Sequence, residues 1–319
     1  MTPPDLSPDP PLLIVLNAGS GSGEAAHTRD IIATGCAAVQ RDFHIYEVDG
    51  PNRLEACARE AVERARELRG VVVAAGGDGT INAVAQAALS SGCAFGVLPQ
   101  GTFNYFSRTH GIPPDTAEAL QVLLSENPRA VQVGMVNEKV FLVNASLGLY
   151  AKLLEDREAF KAQYGRHRWV AFWSGMVTVL RGVRPWYLHM SWHGKQRDIR
   201  TQTLFVANNA LQMHQVGLAE ADAPEQGQLA AIALKPQSAF AMLGLLARGA
   251  WGRLGDADSV QSFSFESMSV RPMRGNRRVK VATDGEINWL DMPLEFRVAP
   301  EPLWLLRPDV APELEATRQ

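Results

Sequence analysis

Hydrophobic and polar positions follow two different rhythms along this chain, and the change near residue 130 divides it. Before that point, short apolar runs alternate with stretches of helical spacing. Leu12–Leu16 reads as a buried strand, followed by a helix to about Gln40, and Phe43–Val48 as a second strand. Asn52 with Glu55 three residues on forms a capping box for a helix to about Arg69. Gly70–Ala75 is a third strand, Thr80–Leu89 a helix, and Ala94–Leu98 a fourth strand. Asp115 with Glu118 caps a further helix to about Ser125. Strands alternating with helices at this spacing predict a parallel sheet covered on both faces. Ligands of such sheets sit beyond the carboxyl ends of the strands.

After residue 130 the period becomes two. Ala130–Val136 and Val140–Asn144 read as strands joined by a turn at Asn137-Glu138. Helical stretches follow at Leu149–Gln163 and Arg168–Arg181. Strands are then expected at Trp186–Trp192, Gln202–Asn208, Gln228–Leu234, Val260–Phe265, Ser267–Arg271, Val279–Thr283 and Pro293–Val298. This is the pattern of an antiparallel β-sandwich. The expected fold is therefore an N-terminal three-layer α/β domain followed by a C-terminal antiparallel β-sandwich domain. The boundaries are a disordered lead-in over 1–11, an α/β domain over 12–130, the sandwich over 131–300, and a C-terminal strand with a frayed tail over 301–319.

Composition narrows the function classes. At 319 residues, two domains are the default, and 46% hydrophobic with 20% charged residues is ordinary globular usage. A formal charge of −3 offers no global attraction to nucleic acid. Cys36, Cys57 and Cys93 are odd in number and widely spaced, which suits a reducing, cytoplasmic setting. The first residues, MTPPDLSPDPP, lack a basic start and an apolar core, so they do not read as a signal peptide. No run approaches the ~20 apolar residues needed to span a bilayer. Ser238–Trp251 reads as a core-facing helix, with an interfacial helix as the other reading.

Candidate chemistry begins at Gly76-Gly77-Asp78-Gly79-Thr80, a glycine turn between a strand and a helix. Glycine lets backbone approach a ligand closely and take positive φ. The amides of Gly77, Gly79 and Thr80 at a helix start suit a phosphate. Asp78 would repel that phosphate unless a cation or a hydroxyl lies between them. The pattern points to metal-assisted phosphoryl chemistry; a tight turn with a solvated Asp is the plainer alternative. Two more small-residue loops, Asn17–Gly23 and Pro99–Asn104, end strands of the same sheet. In the second domain, Asp284-Gly285-Glu286 is hairpin chemistry, with Glu286 as a candidate base positioned by Asp284.

These motifs together resemble the diacylglycerol kinase catalytic-domain family, in its bacterial lipid-kinase branch, related to sphingosine and ceramide kinases. Asn17–Gly21 is similar to the family's Asn-Pro-x-Ser-Gly and Gly76–Thr80 to its G-G-D-G-T. Leu98–Asn104 resembles L-P-x-G-T-x-N, and Asp284–Glu286 resembles D-G-E. The resemblance implies an ATP-dependent lipid kinase, with residues 12–130 binding nucleotide, residues 131–300 taking the lipid, and a nucleotide cleft between them. It implies ATP and Mg²⁺ as cofactors and a lipid with a free hydroxyl as partner. Asn17, Gly19, Ser20 and Gly21 would hold phosphates together with Gly76, Gly77, Asp78, Gly79 and Thr80. Thr102 and Asn104 would line the other wall. Asp78 would face the metal through ATP–Mg²⁺, and Glu286, aided by Asp284, would accept the proton of the lipid hydroxyl. The strand around Leu303–Leu306 would return to the first domain. An NAD kinase, or a non-catalytic lipid- or nucleotide-binding homologue, are the alternatives.

The chain departs from the family at several points. Ala18 stands where proline is usual, and Tyr105 where most relatives have Asp. Glu225-Gln226-Gly227 aligns with a structural-Mg²⁺ turn, but Gln226 offers a neutral oxygen where hard cations prefer charged ones. Arg271, Arg274, Arg277, Arg278 and Lys280 read as a solvated hairpin, and are also compatible with transient contact at the inner membrane face. Trp169, Phe172, Trp173, Met176 and Leu180 read as a core stripe, with an acyl-chain groove as the other reading. His167, His189, His193 and His214 show no metal-ligand spacing.

Overall fold

The computed structural model describes residues 2–17, 24–101, 103–148, 185–238, 257–275 and 278–309, with isolated positions between 239 and 256. The helices expected over 149–163 and 168–181, the aromatic stripe and His167 lie outside the described residues, as does most of 238–251. The chain divides into two units, residues 1–133 with 299–319, and residues 134–298.

In the first unit, β1 (Leu12–Asn17), α1 (Glu24–Ala38), β2 (Phe43–Val48), α2 (Leu54–Leu68), β3 (Val71–Gly76), α3 (Asp78–Ala88) and β4 (Ala94–Pro99) follow one another. Then come α4 (Tyr105–Thr109), α5 (Thr116–Ser125) and β5 (Pro128–Val131). The sheet order is β2-β1-β3-β4, then the strand Leu303–Leu306, then β5. The first four strands are parallel, Leu303–Leu306 runs parallel to β4, and β5 runs antiparallel to it. Every residue of β3 and β4 is buried, which is why these strands are apolar throughout. Helices α2 and α3 pack together on the sheet, and α1 packs with α5. The chain steps from β1 outward to β2, then back past β1 to β3. That reversal makes the gap between the carboxyl ends of β1 and β3 the topological switch point, where open α/β sheets bind ligands.

One helix start differs from its sequence signal. Asn52 caps nothing: Pro51–Arg53 forms a 3-10 turn, and α2 begins at Leu54 with no side-chain cap. The proline at the start of that turn fixes φ and tightens the chain before the α-helix opens. The Asp115 cap is formed as expected, its side chain accepting from the amides of Ala117 and Glu118 at 2.9 and 3.0 Å.

The second unit holds β6 (Gly134–Val136), β7 (Lys139–Phe141), β8 (Asn144–Gly148), β9 (Trp186–Trp192), β10 (Lys195–Thr201) and β11 (Thr203–Ala207). These are followed by α6 (Ala210–Val216), β12 (Leu229–Leu234), β13 (Val260–Phe265), β14 (Ser267–Pro272), β15 (Arg278–Thr283), β16 (Glu286–Asp291) and β17 (Leu294–Val298). Two six-stranded antiparallel sheets result, β10-β9-β14-β17-β6-β7 and β13-β12-β11-β8-β15-β16. Leu188, Met190, Val270 and Phe296 of one sheet share a buried core with Leu147, Val206, Phe265 and Val281 of the other. The α/β unit and the sandwich expected from the two rhythms are both present.

The run 130–136 is not one strand: β5 belongs to the first unit's sheet and β6 to the sandwich. The run Val140–Asn144 is not one strand either: it ends β7 and begins β8, which continues to Gly148 in the middle of its sheet. The strands β10 and β16 and the helices α4 and α6 also go beyond the expected pattern, and both of these strands are sheet edges. Lys195–Thr201, KQRDIRT, carries the charges that guard an exposed edge, so its polar sequence hides a strand. Helices α4 and α6 span only 5 and 7 residues, too short for a period to show.

Candidate active site

Around the switch point, the first unit's loops are built from reciprocal contacts. Gly76 ends β3, and a Cβ there would lie 2.6 Å from Oγ1 of Thr80. The buried Thr80 hydroxyl in turn accepts a hydrogen bond from Nδ2 of Asn17 at 2.9 Å. This bond ties the end of β1 to the first turn of α3. Asn17 and Thr80, expected to face phosphates, are thus joined to each other; the Thr80 hydroxyl accepts this bond and retains its own O–H, and the backbone amides of the turn add further donors. Gly77 has φ −82°, so the expectation of positive φ in this turn does not hold there.

The reason for glycine is closeness. A Cβ on Gly101 would lie 3.2 Å from Cα of Gly77, and one on Gly77 would lie 3.6 Å from Cα of Gly101. The β3 and β4 loops thus touch backbone to backbone. Gln100 N–H donates to the Gly76 carbonyl at 2.8 Å, and Gln100 Nε2 donates to Thr28 Oγ1 at 2.8 Å, fixing the same loop to α1.

Asn104 does not line the wall as a free donor. Its side chain accepts from Gly101 N–H at 3.0 Å and donates to Gly101 O at 2.9 Å. It is 8% exposed and sits in the left-handed region at φ 47°, which Asn tolerates better than most residues. Its role here is to set the loop. Gly101→Ala would push a methyl group against Asn104 Oδ1, 2.6 Å away. We expect a loss of about 1–3 kcal/mol in stability by denaturant unfolding, with weakened nucleotide binding.

Asp78 opens α3, and its Oδ1 is buried with no hydrogen-bond partner. Burial raises its pKa above the ordinary carboxylate value, while the Asn104 backbone N–H pulls the other way. A buried acceptor without a donor calls for a ligand. A hydroxyl or a hydrated divalent cation meets that need, and Mg²⁺ prefers such oxygens. The residues fit the metal the family resemblance implies.

The raised pKa also has a sign for stability. A carboxyl that binds its proton more tightly when folded contributes stability below the unfolded pKa and loses it as pH rises through the folded value. Asp78→Asn is therefore expected to melt higher than wild type near about pH 7. The two curves should converge in acid, as read by Tm against pH.

The remaining residues expected around nucleotide, Gly19, Ser20, Gly21 and Thr102, lie outside the described residues. Tyr105, in the place of the usual Asp, starts α4 and stacks on Phe103 with rings 6.1 Å apart and 5° from parallel.

In the second unit, Asp284 and Gly285 have φ 48° and 90° and join β15 to β16, pairing Thr283 with Glu286. This is the two-residue hairpin read from Asp-Gly. Asp284, expected to assist and position Glu286, is engaged with backbone. Its carboxylate accepts from three successive amides, Leu142 at 2.7 Å, Val143 at 2.9 Å and Asn144 at 2.9 Å, and its own N–H donates to Asn144 O. A carboxylate so occupied fixes the β7–β8 loop and the hairpin corner; it is not set up to trade protons. Asn208 holds the same loop, its Nδ2 donating to Leu142 O and its N–H to Val143 O. Sequence reasoning missed this contribution, whose only trace is the polar pair Asn208-Asn209 at the end of an apolar strand. Glu286 begins β16 and is exposed.

No group of three or more His, Cys, Asp or Glu able to hold a metal occurs among the described residues. Gln226 ends a 3-10 turn over Ala223–Gln226. Within the basic cluster, Arg278 lies 3.4 Å from Asp291, and Lys280 stands over the Trp289 ring at 5.2 Å. Arg277 lies outside the described residues. No described helix is long and apolar enough to cross a membrane.

Comparison with known proteins agrees with this geometry. Residues 11–136 match the diacylglycerol kinase catalytic domain. The chain is 30% identical over 190 residues to the diacylglycerol kinase of Bacillus subtilis (strain 168), covering 57% of this chain and 59% of that protein. It is 39% identical over 98 residues to a Klebsiella pneumoniae (strain 342) protein named "Probable lipid kinase YegS-like", covering 30% of this chain and 33% of that one. The matched stretches thus span less than two thirds of these relatives. The crystal structure of a diacylglycerol kinase from Bacillus anthracis str. Sterne superposes with a TM-score of 0.68 at 17% identity, covering 96% of this chain and 99% of that one, which establishes a shared fold. The glycine turn at the switch point, the touching β4 loop and the matched segment agree: residues 11–136 are similar to the diacylglycerol kinase catalytic domain.

Proposed function

We propose that this protein is an ATP-dependent lipid kinase that transfers the γ-phosphate to a hydroxyl of diacylglycerol or a related lipid. The observation that carries the reading is the buried, unpartnered Oδ1 of Asp78 at the start of α3, beside two loops in backbone contact. Amides at the start of α3 hold phosphate oxygens, aided by the helix dipole, which contributes ~0.3–1 kcal/mol at an exposed terminus. Several loops must therefore share a triphosphate, and the β1 and β4 loops are the ones available. Asn104 keeps the β4 loop in shape before any ligand arrives, so little ordering of that loop is left for the binding step. Asp78 would hold Mg²⁺, which when bound with the nucleotide would supply charge that neutralises the phosphates.

In this reading Glu286 accepts the proton of the attacking lipid hydroxyl, and Asp284 is its positioning residue. Phosphoryl transfer asks chiefly for alignment and charge stabilisation. A rigid hairpin corner suits a base that must meet a mobile lipid. The protein would work at a membrane surface on the cytoplasmic side, in transient contact, because its substrate resides there.

The test uses purified protein, γ-labelled ATP and Mg²⁺ with diacylglycerol, a monoacylglycerol, phosphatidylglycerol, a sphingoid base, and NAD as a separate acceptor. Label in an organic-soluble product is expected, and the acceptor that takes it names the substrate. Label in NAD would make the protein an NAD kinase, and label in none of them would leave a binding protein. Asp78→Asn should lose at least about a hundredfold in turnover while melting higher, a combination that separates a functional carboxylate from a structural one.

A further inference from the structure

A second group of charges at the carboxyl end of the first unit's sheet plays no part in this chemistry. The strand Leu303–Leu306 runs parallel to β4, so Arg307, the next residue, emerges at the end of the sheet where the glycine loops lie. Antiparallel β5 pairs Arg129 with Leu305, which puts Arg129 diagonal to Arg307. His110, just after α4, is the third group there; burial and the neighbouring Arg307 push its pKa down to about 3, so it is neutral and adds no charge.

One carboxylate lies near both guanidiniums: Asp309 pairs with Arg129 and acts electrostatically on Arg307. Asp309 Oδ1 bridges Arg129 Nη2 at 2.5 Å. The Nε atoms of both arginines are buried without a hydrogen-bond partner. Arg307 is half-buried and makes no hydrogen bond or ion pair with any described residue. Arg129 and burial both act against its charge, and Asp309 supports it only in part. A partly buried guanidinium beside a like charge, with its Nε buried and unpaired, gains from an anion that joins it. Planar forks in pairs suit phosphate oxygens, which accept two parallel N–H bonds from each.

We propose that Arg129 and Arg307 form an oxyanion site that takes a phosphate group, separate from the glycine turn, with Asp309 as the internal counter-ion that shares or yields Arg129. The phosphate can belong to a soluble phosphate or to the head group of an anionic lipid. The site does not depend on the kinase reading.

The test is the thermal stability of the full chain in rising inorganic phosphate, with chloride holding ionic strength constant. Wild type should gain about 3–6 °C when phosphate reaches tenfold its Kd. Arg307→Gln should melt higher than wild type without phosphate, because an uncompensated charge is gone, and should lose the phosphate response. Arg307→Lys keeps the charge without the fork, and should show no gain in phosphate-free Tm and a weakened response. Sedimentation with phosphatidylglycerol vesicles against phosphatidylcholine vesicles identifies the source. Retention on the first that Arg307→Gln abolishes assigns a lipid head group; a phosphate response without retention assigns a soluble phosphate. A wild-type Tm indifferent to phosphate, or a full response kept by Arg307→Gln, overturns the proposal.

Discussion

Glu286→Gln should lower kcat by at least about a hundredfold while leaving ATP binding unchanged, since a positioned general base is worth ~10²–10⁴-fold. The amide retains the size of the carboxylate and removes only its ability to take a proton. Glu286 is exposed at the first residue of β16, so the substitution costs little stability and the variant should fold as wild type does. An equal loss in kcat and kcat/KM is the expected signature, because the interaction is made in the transition state alone. A variant that turns over at the wild-type rate would remove Glu286 from the reaction.

Asp284→Ala should act differently, through the structure around it. The carboxylate gathers the amides of Leu142, Val143 and Asn144, and its removal leaves three donors without their acceptor. At about 1–3 kcal/mol for each donor that water cannot reach, a total loss of about 3 kcal/mol is expected. For a unit of this size that is a fall of about 6–12 °C in Tm. Alanine is also a poor residue at φ 48°, which adds to the loss. Asp284→Asn retains the oxygen that serves Val143 and Asn144 and sets an NH₂ group against the Leu142 amide. It should therefore fall between the two, at about half the loss. Hydrogen exchange reads the cause directly: protection at the three amides should collapse in the alanine variant. Protection equal to wild type would mean that the carboxylate does not hold the loop. Activity should fall in proportion to the loosening of the hairpin corner, with kcat affected before nucleotide affinity.

The contrast between neighbours shows what a sequence can and cannot carry. The β–α alternation and the later period of two were legible because each buried strand has an unbroken or alternating apolar pattern. The Asp-Gly hairpin was legible because few residues tolerate two successive positive φ values. The charged edge strand β10 was not legible, since its polarity protects an edge that the sequence does not announce. The site was legible as a set of loops, but the bonds its side chains make within the fold were not. Asn17, Thr80, Asn104 and Asp284 all belong to the right motifs. Yet their side chains are engaged with Thr80, Asn17, Gly101 and the 142–144 amides, respectively. Such pairings join positions between 3 and 142 residues apart, and no local pattern encodes the longer ones. Asp78 is the case that sequence anticipated best. A carboxylate expected beside phosphate calls for a cation or a hydroxyl between them, and its Oδ1 is buried without a hydrogen-bond partner.

In the proposed function the glycine turn and Glu286 serve a single phosphoryl transfer to lipid, and a single-turnover experiment can show it. Wild type and Glu286→Gln are loaded with γ-labelled ATP and Mg²⁺, then mixed with lipid vesicles and an excess of unlabelled ATP. The account predicts equal loading of the two proteins, with label passing to lipid from wild type alone. Label reaching lipid from both at the same rate, or from neither, would contradict it.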